Sequence, residues 1–90
     1  MTEVSIILPT YNSINYIEKA IKSVLDQTFN NWELIIIDDC SKDGTKLLLK
    51  KKYSKFKKIK KIYNKKNLGP GLSRNKGLKY SRGRYIAFLD

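Results

Sequence analysis

Apolar residues occur in four short runs along the chain, separated by segments with helical periodicity. The second run, residues 34–37, is continuous and mostly β-branched, which predicts a strand covered on both faces, as in a parallel sheet. The first run, residues 4–8, is closed by Pro9, which cannot donate a backbone hydrogen bond and therefore predicts a strand end. The other two runs, residues 58–63 and 84–89, predict a lysine-rich edge strand and a fourth strand.

Two helices are expected between the first three strands. In residues 14–25, apolar residues recur every three or four positions, and Ser13 or Asn12 is expected to cap the helix. A short, very basic helix is expected after the turn that follows the second strand. Asp43 would cap this helix, which should reach Tyr53.

A third helix is expected to begin near Pro70, which gives the order βαβαβαβ. This order predicts an α/β fold with a Rossmann-like, three-layer parallel sheet and right-handed crossovers. With the basic strand at the edge, the expected strand order is 3-2-1-4. Strands 2 and 3 then lie on one side of strand 1 and strand 4 lies on the other, which makes a switch point between strands 1 and 4. Ligands bind at such switch points, outside the carboxyl ends of the strands. The crevice would be lined by residues 9–12, by Asp38 and Asp39, and by Asp90.

The composition limits the class of protein and the kind of metal site. Ninety residues with 41% hydrophobic and 30% charged side chains predict one globular folding unit. No apolar run is long enough to cross a bilayer and the start of the chain is polar, so a cytoplasmic protein is expected. Cys40 is the only cysteine and histidine is absent, which excludes metal sites built on several Cys or His ligands. A metal would need oxygen ligands, which favours Mg²⁺ or Mn²⁺.

The net charge of +11 is concentrated in the second half of the chain. Residues 1–43 carry seven acids and three lysines, whereas residues 44–90 carry sixteen lysines and arginines and one acid. Such an asymmetry favours anionic partners: phosphates, nucleic acid or an acidic membrane surface. Eleven lysines fall in residues 46–66, and an ordinary solvated surface explains that run equally well.

Asp39 and Tyr11 are candidates for binding a nucleotide base. A carboxylate accepts from the N–H of uracil, and an aromatic ring covers the face of the base. Asp38 should point to the opposite side of its strand and is expected to orient the following loop. A turn cap for Asp39 and ordinary packing for Tyr11 remain open. Arg74 lies early in a helix that follows a glycine-rich loop, where it would form a pyrophosphate subsite or remain solvated.

Five motifs occur in order along the chain: V-S-I-I-L-P-T-Y-N, L-D-Q-T-F, W-E-L-I-I-I-D-D-C-S-K-D-G-T, N-L-G-P-G-L-S-R-N-K-G and Y-I-A-F-L-D. Together they resemble the nucleotide-binding half of family 2 glycosyltransferases of the GT-A fold. The resemblance implies a nucleotide site in which Pro9, Thr10 and Tyr11 surround the uracil and Asp39 accepts from its N–H. Arg74 would lie near the base or the diphosphate, and Asp90 would belong to the same site. Asp90 would also be the first acid of a D-x-D type metal motif.

The resemblance also implies an activity for the parent protein. A sugar would pass from a nucleotide-diphosphate sugar, with a UDP-sugar expected, to an acceptor glycan or lipid-linked sugar, with inversion and with Mg²⁺ or Mn²⁺ bound. Because the chain stops at Asp90, before a further metal-binding acid and a catalytic base, residues 1–90 are expected to form a truncated nucleotide-sugar-binding domain that transfers no sugar. Loss of the elements that cover strand 4 would expose Ile86 and Phe88 and favour self-association.

Other classes of function are weighed against the transferase. A dinucleotide-binding oxidoreductase needs G-x-G-x-x-G after strand 1, where this chain has P-T-Y-N-S, and a receiver domain needs its acid pair there. The alternative from a different class is a basic binding module formed by residues 46–66, for nucleic acid or an anionic membrane surface. Nucleic acid is the less expected partner because no recognition motif accompanies the lysines. Peripheral contact with the inner face of a membrane is compatible with the transferase.

Overall fold

The computed structural model describes residues 1–89, which form a parallel four-stranded sheet covered by helices on both faces. The elements in chain order are β1 (Val4–Thr10), α1 (Ile17–Leu25), β2 (Trp32–Asp38), α2 (Thr45–Lys52), β3 (Ile59–Tyr63), α3 (Pro70–Tyr80) and β4 (Tyr85–Phe88). The strand order is β3-β2-β1-β4 and every pairing is parallel. The predicted order 3-2-1-4 is therefore confirmed, with the switch point between β1 and β4.

The core is built on both faces of β2, all seven residues of which are buried. On one face, Leu34 and Ile36 pack in the larger apolar cluster with residues of α1 and α2. On the other face, Ile35 and Ile37 pack beneath α3. Gly77 permits this close approach, because a Cβ added there would lie 2.7 Å from Ile37 Cδ1. The prediction that this strand is covered on both faces is confirmed.

β1 continues beyond Pro9 to Thr10, so the prediction of a strand end at Pro9 is wrong. Backbone groups of alternate residues in a parallel strand face alternate neighbours. Ile7 faces β4, because its carbonyl accepts the N–H of Leu89, and Pro9 faces the same side. Within residues 1–89, the pairing of β1 with β4 extends from Val4 to Ile7, so Pro9 has no partner in β4 that needs the N–H that proline lacks.

α1 begins three residues later than the apolar spacing predicts. Its N-cap is Tyr16, with no capping side chain, so the prediction that Ser13 or Asn12 caps this helix is wrong. Residues 13–16 instead form a turn, in which the N–H groups of Tyr16 and Ile17 both donate to the Ser13 carbonyl. The turn leaves Asn12 and Ser13 available for contacts with the loop after β2.

α2 ends at Lys52, with Tyr53 as its C-cap, and its N-cap is Gly44 in a left-handed conformation. Asp43 lies one position before that cap. Its carboxylate accepts from the N–H and the hydroxyl of Thr45, and also from the N–H of Ile14 in the turn before α1. Asp43 therefore ties two loops together, rather than acting as the expected N-cap.

β4 pairs with β1 on one side only, and its four residues are exposed. Ile86 and Phe88 thus present the apolar surface that the sequence predicts; self-association through that surface stays a prediction. Within residues 1–89, no helix is both long and apolar enough to cross a bilayer. Asp90 lies outside the described residues, and so do the nucleotide-binding and metal-binding predictions made for it.

Candidate functional site

A cavity of about 430 Å³ opens at the carboxyl ends of β1 and β2, beside the first turn of α3. It lies at the switch point of the sheet, where α/β proteins bind ligands. It is lined by Pro9, Thr10, Tyr11, Asp39, Asn67, Gly69, Pro70 and Ser73. The structure therefore brings together four of the residues singled out from the sequence, Pro9, Thr10, Tyr11 and Asp39, and places them against the glycine-rich loop.

The carboxylate of Asp39 holds this loop in place. Its Oδ1 accepts from the Leu68 N–H at 2.7 Å and from the Asn64 side-chain amide at 2.9 Å, and its Oδ2 accepts from the Gly69 N–H at 2.9 Å. A carboxylate has about four acceptor positions, so these three bonds leave about one, and the Ser73 hydroxyl near Asp39 also lowers the pKa of its carboxyl group. Asp39 both closes the loop and retains an acceptor at the wall of the cavity.

The same contacts determine the protonation state of Asp39. Burial acts to raise the pKa of its carboxyl group, but the hydrogen bonds from Leu68, Asn64 and Gly69 outweigh burial and place the pKa below its ordinary value. Asp39 is therefore ionised at neutral pH. A carboxylate in this state is a strong hydrogen-bond acceptor and a weak base, which suits ligand binding better than proton abstraction.

Asn64, which was not predicted from the sequence, orients the Asp39 carboxylate through a buried hydrogen bond. It is buried immediately after β3, and its amide nitrogen donates to both Asp39 Oδ1 and Ser73 Oγ. Its amide oxygen accepts from Lys76 Nζ at 2.8 Å, which fixes the direction in which the amide points. Asn64 directly follows a strand, as Asp39 does, and this position in the sequence could have identified it.

Thr10 and Tyr11 supply two further groups at the cavity. The Thr10 hydroxyl is buried and has no hydrogen-bond partner within residues 1–89. Buried polar groups are normally satisfied, so this hydroxyl points to a partner such as a bound ligand. Tyr11 is 50% exposed and follows directly, so one face of its ring is available for stacking.

The first turn of α3 forms the third side of the cavity. Gly69 has φ 90°, a conformation that favours glycine, and is followed by Pro70 at the start of the helix. The first N–H groups of a helix have no partners within it and attract anions. Arg74, predicted to approach the diphosphate, lies one residue beyond Ser73 on α3 and is partly buried, but it does not line the cavity.

Asp38 has a different role from Asp39, as the alternation along the strand predicts. Its carboxylate accepts from the N–H and the hydroxyl of Ser41, and Ser41 Oγ in turn accepts from the Asn12 N–H at 2.8 Å. Asn12 Oδ1 accepts from the N–H of Lys42. These bonds fix the loop that carries Tyr11 to the loop that follows Asp39.

Residues 1–89 contain no group of three or more His, Cys, Asp or Glu side chains placed to hold a metal ion. The cavity brings together a carboxylate, a buried hydroxyl, an exposed aromatic ring and the first turn of a helix.

Comparisons with known proteins agree with the resemblance seen in the sequence. Residues 5–90 match the family described as Glycosyl transferase family 2. An Escherichia coli relative, UDP-Glc:alpha-D-GlcNAc-diphosphoundecaprenol beta-1,3-glucosyltransferase WfgD, is 47% identical over 97% of this chain and 34% of its own length. Staphylococcus aureus poly(ribitol-phosphate) beta-N-acetylglucosaminyltransferase TarP is 45% identical over 100% of this chain and 28% of its own length.

The fold also matches that of a solved structure. The crystal structure of Staphylococcus aureus TarS in complex with UDP-GlcNAc superposes with a TM-score of 0.90 and 36% identity, over 99% of this chain and 26% of that one. The chain spans about a third or less of the length of the curated relatives described above. The family match covers nearly all of these ninety residues, and the chain belongs to glycosyl transferase family 2.

Proposed function

We propose that this chain forms the nucleotide-binding part of a glycosyltransferase and that its donor substrate is a UDP-sugar. The proposal depends on one observation: a cavity at the switch point in which the remaining acceptor position of Asp39, the Thr10 hydroxyl and the Tyr11 ring lie together. Uracil has one N–H between two carbonyls. The N–H would donate to Asp39 Oδ2, and Tyr11 would cover the face of the ring.

The diphosphate would lie towards the first turn of α3. The free N–H groups of that turn favour a phosphate, and Arg74 on the same helix would add positive charge if its side chain turned towards the cavity. Mg²⁺ or Mn²⁺ would neutralise the leaving diphosphate when bound. Asp90 is proposed as a ligand of that ion and as part of the nucleotide site.

The reaction proposed for the whole protein is transfer of the sugar to an acceptor hydroxyl with inversion at the anomeric carbon. The name of the WfgD relative describes a lipid-linked acceptor, and a glycan or lipid-linked sugar is the acceptor class we propose here. The function proposed for residues 1–90 themselves is nucleotide binding without sugar transfer, in the cytoplasm. Retention of the anomeric configuration in the product of the whole protein would contradict this reaction.

Backbone NMR titration of the chain with UDP, GDP and CDP tests the binding proposal. UDP should shift the amide resonances of Thr10, Tyr11 and Gly69, and should bind at least tenfold more tightly than GDP. Because base stacking on an aromatic ring contributes about 1 to 3 kcal/mol, Tyr11→Ala should weaken UDP binding by roughly 5- to 150-fold. Tyr11 is half exposed, so the variant should fold normally.

Asp39→Asn should also weaken UDP binding, because a neutral amide replaces a charge-assisted acceptor. Asp26→Asn is the matched control, since Asp26 carries the same charge but is exposed at the end of α1. The control should bind UDP with wild-type affinity. Equal affinity for UDP and GDP, or UDP shifts confined to residues outside the cavity, would overturn the proposal.

A further inference from the structure

The structure places most of the lysines of residues 46–66 on one side of the molecule, at the β3 edge of the sheet. β3 is the outermost strand, and α2 and the turn 53–58 lead into it. Eight exposed lysines in this region define a surface that we call the basic edge: Lys46, Lys50, Lys51, Lys55, Lys57, Lys58, Lys65 and Lys66.

The positive charge of this region is largely uncompensated. Of the eleven lysines in residues 46–66, the part of the chain described here pairs two with carboxylates, Lys52 with Glu18 and Lys60 with Glu33. Lys46 and Lys50 instead lie over the ring of Tyr63, 5.5 and 5.2 Å from its centre. Concentrated like charges repel one another, so the basic edge is suited to an extended anionic surface.

Apolar side chains are exposed among these lysines. On α2, positions 46, 47, 50 and 51 fall on one helical face, opposite the buried Thr45 and Leu49. Leu47 lies on that face and is 59% exposed, and Phe56 in the following turn is 43% exposed. Lysines interleaved with a large aliphatic and an aromatic side chain are typical of segments that lie at a membrane interface.

We propose that the basic edge docks on an anionic membrane surface. Two features favour lipid over nucleic acid. All the cations of the basic edge are lysines, whereas arginine is preferred where phosphates are recognised in a defined geometry. Lysines cover Tyr63, which leaves Phe56 as the exposed aromatic ring among the lysines, and one ring is too few to stack successive bases.

This docking would give the nucleotide cavity a defined orientation. Lys65 and Lys66 immediately precede Asn67, which lines the cavity, and Lys46 lies over Tyr63, the last residue of β3. The basic edge therefore extends to the same end of the sheet as the cavity. If the proposed transferase function is correct, membrane docking would bring the donor sugar close to a lipid-linked acceptor.

Co-sedimentation with vesicles tests the docking independently of nucleotide binding. The chain should sediment with vesicles of phosphatidylcholine and phosphatidylglycerol, and should remain in solution with phosphatidylcholine alone or at high salt. A lysine near an anionic surface raises membrane partitioning about fivefold, so the triple variant K46Q/K50Q/K51Q should bind the mixed vesicles at least tenfold more weakly. The triple variant K19Q/K22Q/K79Q removes the same charge from exposed positions on α1 and α3 and should bind within about threefold of wild type.

Several outcomes would overturn the docking proposal. They are equal sedimentation with both kinds of vesicle, an equal loss in the two triple variants, or binding to duplex DNA without binding to vesicles. Both triple variants should keep the wild-type circular dichroism spectrum, because the substituted positions are exposed. A UDP titration separates the two proposals: vesicle binding without UDP binding leaves the docking surface intact and refutes the nucleotide site.

Discussion

The substitution Asn64→Asp tests whether the buried polar network sets the state of Asp39. Asn64 Nδ2 lies 2.9 Å from Asp39 Oδ1, so the variant places a second carboxylate oxygen where a donor stood. Two unit charges about 4 Å apart repel by about 4 kcal/mol at an effective dielectric constant of about 20. Lys76, 2.8 Å from Asn64 Oδ1, attracts the new carboxylate about as strongly as Asp39 repels it. We therefore expect the net cost, about 2 to 4 kcal/mol when both acids are ionised, to come from the lost Asn64 donor and from burial of a second carboxylate.

The cost should appear as a new pH dependence of stability. This cost is equivalent to a raised pKa for one acid of the coupled pair in the folded variant, relative to about 4 in the unfolded chain. Such a group favours folding fully below the unfolded pKa, and this contribution is lost as the pH rises through the folded pKa. The variant should therefore lose stability as the pH rises above about 4. The wild-type network should not, because the pKa of Asp39 is lowered.

Urea unfolding followed by circular dichroism at pH 5, 6, 7 and 8 measures this effect. For a chain of this size, a loss of about 2 kcal/mol lowers the melting temperature by roughly 10 °C, so thermal unfolding provides a second measurement. Asn15→Asp is the control, because Asn15 is exposed in the turn before α1 and its substitution should change stability by less than about 0.5 kcal/mol. A flat profile for Asn64→Asp, or parallel profiles for the two variants, would refute the proposed coupling.

Three further predictions concern stability. Gly83→Ala should destabilise the chain by about 1 to 3 kcal/mol, because the added Cβ would lie 2.6 Å from Ser5 Oγ; a lower urea midpoint would verify this. Gly71→Ala, in α3 with no atom within 4 Å of the added Cβ, should instead stabilise by up to about 1 kcal/mol, and a lower midpoint would contradict it. Burial acts to raise the pKa values of Glu33 and Asp39, but their hydrogen bonds lower both. This stability is present above the unfolded pKa of about 4 and should be lost as the pH falls below it, as measured by unfolding between pH 6 and 2.

The elements that the sequence predicts correctly are those whose pattern follows directly from burial. The continuous apolar run of β2 specifies a strand covered on both faces, and the lysines of β3 exclude that strand from the centre. These two inferences, with right-handed crossovers, are sufficient to obtain the strand order. They also place Tyr11 and Asp39 at the same end of the sheet.

The errors arise where the outcome depends on contacts between distant segments. Serine is a residue type that often caps helices, which is why Ser13 is a predicted N-cap. Its N–H instead donates to Thr45 Oγ1, 32 residues away, and α1 begins later. Proline often ends a strand, which is why a strand end is predicted at Pro9. Within residues 1–89, however, Pro9 lies beyond the part of β1 that pairs with β4, so proline's lack of an N–H costs no strand pairing there. Local sequence preferences cannot predict either outcome, because each depends on how distant segments pack in the folded chain.

Asp39 shows that two functions treated as alternatives for one residue are compatible. A turn cap and a ligand acceptor compete only if the carboxylate lacks acceptor positions, and its three bonds to Asn64, Leu68 and Gly69 leave about one position. The loop bonds also lower the pKa of Asp39, so they keep that position charged at neutral pH. Changes at Asp39 should therefore reduce both stability and affinity for UDP. Tyr11→Ala should reduce affinity alone, because Tyr11 is half exposed and takes no part in the loop bonds of Asp39.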